Sequence, residues 1–514
     1  MQSTETDAAK GSNTTWDMGT DTTLIHILAR NAELLGNRVA MREKHLGIWQ
    51  ETTWSQMLDT TLACAAGMES LGFGAEDALL VLGDNRPRLY MGMLAAGVLG
   101  GYAMPVYSTA TPDEIRHFMH ETHVRFVLAE DQEQVDKVLD LGDQGATIKN
   151  IIYDEPRGLT NYSNPGLISW EKLQAIGADR LRAEPKLRNS LIERALPDGP
   201  AVFVHSSGTT GKPKGVVLSH RNFLAGVRNA HRGGAFTFGE TILAYLPMAW
   251  VGDFAITVGA GVALHFTINI PERQETVLHD LREVAPTFYL AAPRSWDNML
   301  TTIQVRMEDS TPLKKWFYDV FMNSALASER RKLEGKQPSL TERLMRQLGE
   351  WLIFGPIKDQ LGLTRLRGAF TGGEAIGEDT FVFYRALGVK LRQFYGQTES
   401  SAFTALQDTE EVRLHTVGKP LPGVEVKIGD NGEVLIRSGS VFSGYYKLEN
   451  ATREALEDGW LYTGDIGYLD EDGYLFIVDR KKDIIIRGGE NISCIEVEQA
   501  IYAHPDIAEA SVFG

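Results

Sequence analysis

The sequence has almost no cysteine. Cys64 and Cys494 are the two in 514 residues, too few for a disulfide framework or a multi-cysteine zinc site. An apolar leader is missing as well. Residues 1–19 are polar and carry Glu5, Asp7 and Asp17, unlike the apolar stretch of a signal peptide. These features favour a reducing, cytoplasmic compartment. No unbroken apolar run reaches the roughly 20 residues that a spanning helix needs. Residues 89–106 carry no charge but are broken by Gly100, Gly101 and Pro105, so they read as a buried helix over 89–99, a turn, and a strand over 102–106. Residues 254–270, with Gly259 and Gly261 inside, read as core too. Positive charge is also short: 51 Lys and Arg face 68 Asp and Glu, a net charge of −17. Such a surface repels polyanions, which argues against nucleic acid as a partner. A local basic pocket for a phosphate ligand stays open. There is no fixed-period repeat, and His205, His220, His265 and His415 show no metal-ligand spacing.

What is present is an ordinary soluble composition, 43% hydrophobic and 23% charged, long enough for roughly three to four domain-sized units. Helical and strand-like segments alternate. A helix is expected at 23–35, a buried strand at 77–82, a helix from Pro112 to 120, and strands at 125–129 and 148–153. This alternation predicts an α/β fold with parallel sheets. Residues 311–352 differ, being rich in Lys, Arg, Glu and Leu; two or three helices joined around 335–338 are expected there, as a solvated insertion, a partner surface or a lid. From 416 to 478 short strands dominate, with Asp430, Asn431 and Gly432 as a hairpin turn. A basic connector follows from Asp479, then a helix expected at 495–503 and the beginning of a strand at 509–513.

Five segments carry chemistry. The first is His205, Ser206, Ser207, Gly208, Thr209, Thr210, Gly211, Lys212, Pro213, Lys214 and Gly215, entered from a strand at 201–204. Glycine lets backbone N–H groups turn onto an anion, hydroxyls bond phosphate oxygens, and lysine adds charge. It is not a Walker A loop, because Ser206 stands in place of the first glycine and Pro213 follows Lys212. The second, Gln393, Phe394, Tyr395, Gly396, Gln397, Thr398 and Glu399, offers an aromatic face for a base, a hydroxyl for a phosphate and a carboxylate for Mg²⁺. The third is Thr371, Gly372, Gly373 and Glu374. The fourth ends in Gly464 and Asp465, a carboxylate suited to ribose hydroxyls. The fifth combines Arg480, Lys481 and Lys482 with Gly488 and Gly489.

In order and spacing these segments resemble the adenylate-forming (AMP-binding) acyl-CoA synthetase superfamily, over nearly the whole chain after about residue 20. The helices at 311–352, with Pro293, Arg294, Ser295 and Trp296 before them, look most like the long-chain fatty acid–CoA ligases. The resemblance implies a large N-terminal domain over 1–479, of two α/β lobes plus a distorted β subdomain at about 416–478. The hinge and the start of a small α+β C-terminal domain would then occupy 480–514. It implies ATP and CoA as co-substrates, Mg²⁺ as cofactor, and a carboxylic acid, a long-chain fatty acid first, as substrate. Ser206, Ser207, Gly208, Thr209, Thr210 and Lys214 would hold ATP phosphates, and Tyr395 would stack on adenine. Gly372, Gly373, Glu374, Gln393 and Gly396 would surround the base and adenylate. Thr398 and Glu399 would be catalytic, with Glu399 and Ser206 on Mg²⁺. Asp465 would take the ribose, with Arg480 close by. Lys482 would be the hinge at which the small domain rotates between half-reactions, and Gly488 and Gly489 would line the CoA channel.

Two departures from the family pattern matter. Trp250 stands where many relatives have histidine; with His205 and Val251 it is assigned to the acyl pocket, as a gate or as core packing. His205 either faces the acid's carboxylate or is a satisfied core histidine. The family's adenylation lysine has no counterpart, since the chain ends at Gly514 before any Pro-x-x-x-x-Gly-Lys stretch; impaired adenylation by this chain is the expectation. A lipid substrate would suit peripheral membrane contact, and the resembled enzymes often form homodimers. The alternatives are a ligase for an aryl, medium-chain or other acid, and a non-catalytic nucleotide-binding protein.

Overall fold

The computed structural model describes residues 22–206, 213–481, 485–487 and 490–492, and the single positions 494, 497, 501 and 512. Ser207, Gly208, Thr209, Thr210, Lys482, Gly488 and Gly489 lie outside the described residues, as do most of the helix expected at 495–503 and the strand at 509–513.

The first lobe is a five-stranded parallel sheet in the order Tyr102–Val106, Ala78–Leu82, Val124–Ala129, Asn150–Tyr153, Leu167–Ser169. Its second strand, Ala78–Leu82, is buried along its whole length, the mark of a parallel sheet covered on both faces. Helices start where side chains can bind their free N–H groups: Thr23 caps Leu24–Leu35, and Thr111 forms a capping box with Glu114 at Pro112–Glu121. The uncharged run is the buried helix Pro87–Val98 leading into strand Tyr102–Val106. The other apolar run belongs to a buried helical stretch from Val251 to Ala263, containing a π-helical segment, Phe254–Ala260. Among the described residues no helix is long and apolar enough to cross a membrane.

The fold is α/β as expected, but later sheets are mixed rather than purely parallel. Thr241–Leu243, Thr267–Ile270 and Val39–His45 run parallel, and Ile48–Thr53 joins antiparallel. The cause is a two-residue turn, Leu46 and Gly47, with both φ values positive, which returns the chain directly onto its own strand. In the third sheet Phe288–Ala291, Gly368–Thr371 and Leu391–Tyr395 are parallel, and Ala405–Leu406 and Lys419–Pro420 extend it antiparallel. The β-rich region is antiparallel: Val424–Ile428, Glu433–Ser438 and Trp460–Leu469, with Leu456–Glu457 and Leu475–Arg480 both pairing onto the last of these. The short helix Glu449–Ala455 interrupts it. Helices Pro312–Leu333 and Leu340–Gly349 lie where two or three helices were expected.

One buried polar cluster ties the first lobe to the Val251–Ala263 stretch. The Asp253 carboxylate accepts from the Tyr90 hydroxyl at 2.7 Å, Thr257 Oγ1 at 3.1 Å and Asn85 Nδ2 at 3.3 Å. Burial raises the Asp253 pKa to about 7, although the hydroxyls of Tyr90 and Thr257 pull the other way. The fold therefore holds a proton that the unfolded chain releases near pH 4. Stability carried by that proton is lost as pH rises towards 7, by at most about 1.4 kcal/mol per pH unit. Asp253→Asn should remove this component. Urea unfolding of both proteins at pH 5 and pH 7.5 should show the variant gaining on the wild type at the higher pH; an unchanged difference would contradict the assignment.

Candidate active site

The site opens at the carboxyl ends of strands Gly368–Thr371 and Leu391–Tyr395, which pair in parallel with Thr371 opposite Gln393. Ends of parallel strands, where the backbone diverges into loops, are the usual place for ligands. Thr371 is fully buried and its Oγ1 has no partner among the described residues. A Cβ on Gly372 would lie 2.4 Å from the Phe394 ring, and one on Gly396 would lie 1.9 Å from the Ala402 carbonyl oxygen. Both glycines are there because other chain segments occupy the space of a side chain. Gly373 and Glu374 are exposed beside them. Gln393 is held by its backbone N–H donating to Gln407 Oε1 at 2.8 Å.

Tyr395 donates its hydroxyl hydrogen to Asp465 Oδ2 at 2.5 Å. Asp465 sits opposite Arg480 in the antiparallel pair Trp460–Leu469 and Leu475–Arg480, and Arg480 Nε lies 3.7 Å from Oδ1. Burial raises the Asp465 pKa, against the pull of Tyr395 and Arg480; the Glu399 charge pushes in the same upward direction as burial. Burial, then the Asp465 charge, holds the Tyr395 hydroxyl well above its ordinary range. A carboxylate, a phenol and a guanidinium thus meet where two hydroxyls of a ligand could replace or share these bonds.

Four residues beyond Tyr395, the 3₁₀ turn Thr398–Ser400 presents Glu399. The Tyr445 hydroxyl donates to Glu399 Oε1 at 2.9 Å. Lys214 Nζ stands 4.8 Å from the centre of the Tyr445 ring, and Tyr446 N–H donates to the Gly215 carbonyl at 2.9 Å. The hairpin Pro200–Ser206 and Lys214–Ser219 pairs Ser206 with Lys214. Ser206 Oγ is buried without a partner among the described residues. Ser206, Lys214, Tyr445 and Glu399 therefore form one chain of contacts, in which Tyr445 had no sequence motif of its own. The Glu399 carboxylate and the Ser206 hydroxyl, unpartnered among the described residues, are hard-oxygen donors that fit Mg²⁺, and the nearby Lys214 ammonium suits an anionic ligand of that ion.

The three residues assigned to the acyl pocket have the following surroundings. His205 Nε2 is 3.2 Å from Glu121 Oε2, and its ring lies 4.1 Å from that of Phe118. Trp250 is half-buried ahead of the helical stretch, over Gly252, and Val251 is buried in the core. A small cavity of about 20 Å³ lies among the aromatic side chains of these strands. Its lining is wholly apolar and includes Phe236, Ile256, Leu290, Phe370, Phe394 and Phe403. A second cavity shares Ile256, Phe288 and Leu290 and adds Asp253 and Thr257. The available signal was alternation: Phe370 and Phe394 precede Thr371 and Tyr395, so the faces opposite the polar site are aromatic.

Residues 28–446 match the model of the AMP-binding enzymes. The chain is similar to a long-chain-fatty-acid–CoA ligase, FadD15, of Mycobacterium bovis, with 29% identity over 474 residues, covering 91% of this chain and 76% of that one. In fold it is similar to the anthranilate CoA ligase AuaEII in complex with anthranoyl-AMP, at a TM-score of 0.71 and 18% identity over 97% of this chain and 85% of that one. O-succinylbenzoate CoA synthetase from Bacillus subtilis, in complex with ATP and a magnesium ion, gives a TM-score of 0.68 at 21% identity, covering 95% and 86%.

Tyr395→Phe removes the hydroxyl that Tyr395 donates to Asp465. The variant should lose about 1–2 kcal/mol of stability by chemical denaturation, and the Asp465 carboxyl should titrate still higher. Unchanged stability and titration would mean that the contact contributes nothing in solution.

Proposed function

Because the chain belongs to the AMP-binding enzyme family, we propose that it is an acid–CoA ligase that activates a long-chain fatty acid. A carboxylate oxygen of the acid attacks the α-phosphorus of ATP and pyrophosphate leaves, giving an acyl-adenylate. The CoA sulfur then attacks the acyl carbon, its proton passes to solvent, and AMP leaves.

The observation that carries the substrate class is the similarity to a relative named a long-chain-fatty-acid–CoA ligase. The wholly apolar cavity lined by Phe394 is about 20 Å³, room for one or two waters. An acyl chain enters it by displacing its aromatic lining, and each buried CH₂ favours binding by about 0.8 kcal/mol.

The residue roles in this reading are those the family resemblance implies. Lys214 and the loop residues Ser207, Gly208, Thr209 and Thr210 neutralise the phosphates. Tyr395 covers the adenine, with Gly373, Glu374, Gln393 and Gly396 around it. Thr398 hydrogen-bonds the α-phosphate. Asp465, positioned by Tyr395 and Arg480, accepts the ribose hydroxyls. Glu399 and Ser206 hold Mg²⁺, which supplies positive charge to the pyrophosphate as it departs. Division into domains at 479/480, with Lys482 as pivot and Gly488 and Gly489 beside CoA, belongs to the same proposal.

Calorimetry with stable acyl-AMP analogues separates the substrate readings without requiring turnover. A hexadecanoyl analogue should bind at least about tenfold more tightly than a benzoyl one. Ala230→Leu, which fills the apolar cavity, should abolish that preference and leave AMP binding unchanged. Benzoyl preference would shift the substrate to aryl acids. In parallel, AMP and acyl-CoA are read by mass spectrometry with Mg-ATP, CoA and a panel of acids. Glu399→Gln should lower both products about a hundredfold. Tight AMP binding with no product from any acid, even after joining the C-terminal portion of a relative, would sink the ligase reading.

A further inference from the structure

Tyr445 has no role in the proposed chemistry, yet it touches two of the charges that do. Its hydroxyl donates to Glu399 Oε1 at 2.9 Å, and the Lys214 ammonium stands 4.8 Å from the centre of its ring. Among the described residues Glu399 Oε2 accepts no hydrogen bond, and Lys214 and Glu399 form no ion pair. Tyr445 is itself held firmly. Its N–H donates to Thr452 Oγ1 at 2.9 Å, and its backbone bridges to Val216 of the hairpin strand that begins at Lys214. The Phe442 ring packs edge-on against it at 4.9 Å, and the Phe442 N–H donates to the Glu399 carbonyl at 2.8 Å. The segment from Phe442 to Tyr445 therefore grips Glu399 by main chain and side chain at once.

A phenol suits this place for a physical reason. Its ring face attracts a cation and its hydroxyl donates to an anion, so one rigid group can hold both charges without letting them meet. Left to themselves, a flexible lysine and a flexible glutamate on one ring would collapse into an ion pair. That pair would have to be broken, and both side chains ordered, before a metal or a phosphate could be received. Burial, then the Glu399 charge, push the Tyr445 hydroxyl well above its ordinary range, so it stays a donor at neutral pH and does not serve as a base.

We propose that Tyr445 is a positioning residue that holds Glu399 and Lys214 apart and ready, the carboxylate for Mg²⁺ and the ammonium for the phosphates of ATP. Its two parts have separable tasks: the hydroxyl fixes the ligand of the metal, and the ring fixes the cation that meets the phosphates. This role rests on the reading of Glu399 as a Mg²⁺ ligand and holds whichever acid the site accepts.

The test is calorimetric titration of the whole chain with ATP, once in Mg²⁺ and once in EDTA, and it needs no turnover. Mg²⁺ should tighten ATP binding by the wild type. Tyr445→Phe keeps the ring and loses the hydroxyl; it should cut that tightening about tenfold and leave metal-free ATP binding unchanged. Tyr445→Leu loses both parts and should also weaken metal-free ATP binding about fivefold. In a Glu399→Gln background Tyr445→Phe should change nothing further, because the hydroxyl acts through the carboxylate. Phe442→Leu loosens the packing of the ring without touching either charge and should keep the Mg²⁺ effect, which separates positioning from a general loss of structure. The proposal alone is overturned if Tyr445→Phe keeps a Mg²⁺ effect that Glu399→Gln loses, or if Phe442→Leu loses as much as Tyr445→Phe. It is overturned as well if Tyr445→Leu binds metal-free ATP as tightly as Tyr445→Phe does. A wild type indifferent to Mg²⁺ overturns the metal role of Glu399 itself, and the role of Tyr445 with it.

Discussion

Thr371 faces Gln393 across two parallel strands, and the site depends on that register. Parallel pairing makes both strands end at the same edge, so the glycine turn after one and the Tyr395–Glu399 segment after the other open side by side. A shift of one residue would exchange the faces of a strand: Phe394 would leave the apolar cavity and Tyr395 would leave Asp465. The absence of side chains at Gly372 and Gly396 keeps this edge closed, since either Cβ would displace Phe394 or the backbone at Ala402.

A second register completes the arrangement from outside that sheet. The antiparallel pairing of Asp465 with Arg480 brings the β-rich region's carboxylate to Tyr395. The bridge between Val216 and Tyr445 brings Lys214 towards Glu399 through one aromatic ring. Neither contact is strong alone. They localise a phenol, two carboxylates and two cations around one opening, and burial shifts Tyr395, Asp465 and Tyr445 towards their protonated forms.

The polar half of this site was legible in the sequence because its members are neighbours in sequence. Gln393 to Glu399 and Thr371 to Glu374 are short runs whose residue types announce their chemistry. The apolar half was not legible, because Phe236, Ile256, Leu290 and Phe403 come from four separate segments and look like ordinary core residues. Tyr445 was overlooked for the same reason: its meaning lies in what it touches. His205 was read either as facing the acid or as a satisfied core histidine, and its Nε2 meets Glu121, 84 residues away in the sequence. In the fold, alternation gave the α/β class and most element positions. The antiparallel additions were hidden because a two-residue return at Leu46 and Gly47 leaves little trace in hydrophobic pattern.

Phe394 and Tyr395 are consecutive residues of one strand, and consecutive side chains point to opposite faces. One belongs to the greasy cavity, the other to the polar cluster. A single peptide unit therefore serves as the partition between two compartments. Any movement of that backbone carries both side chains with it, so the polar and apolar sides share one wall.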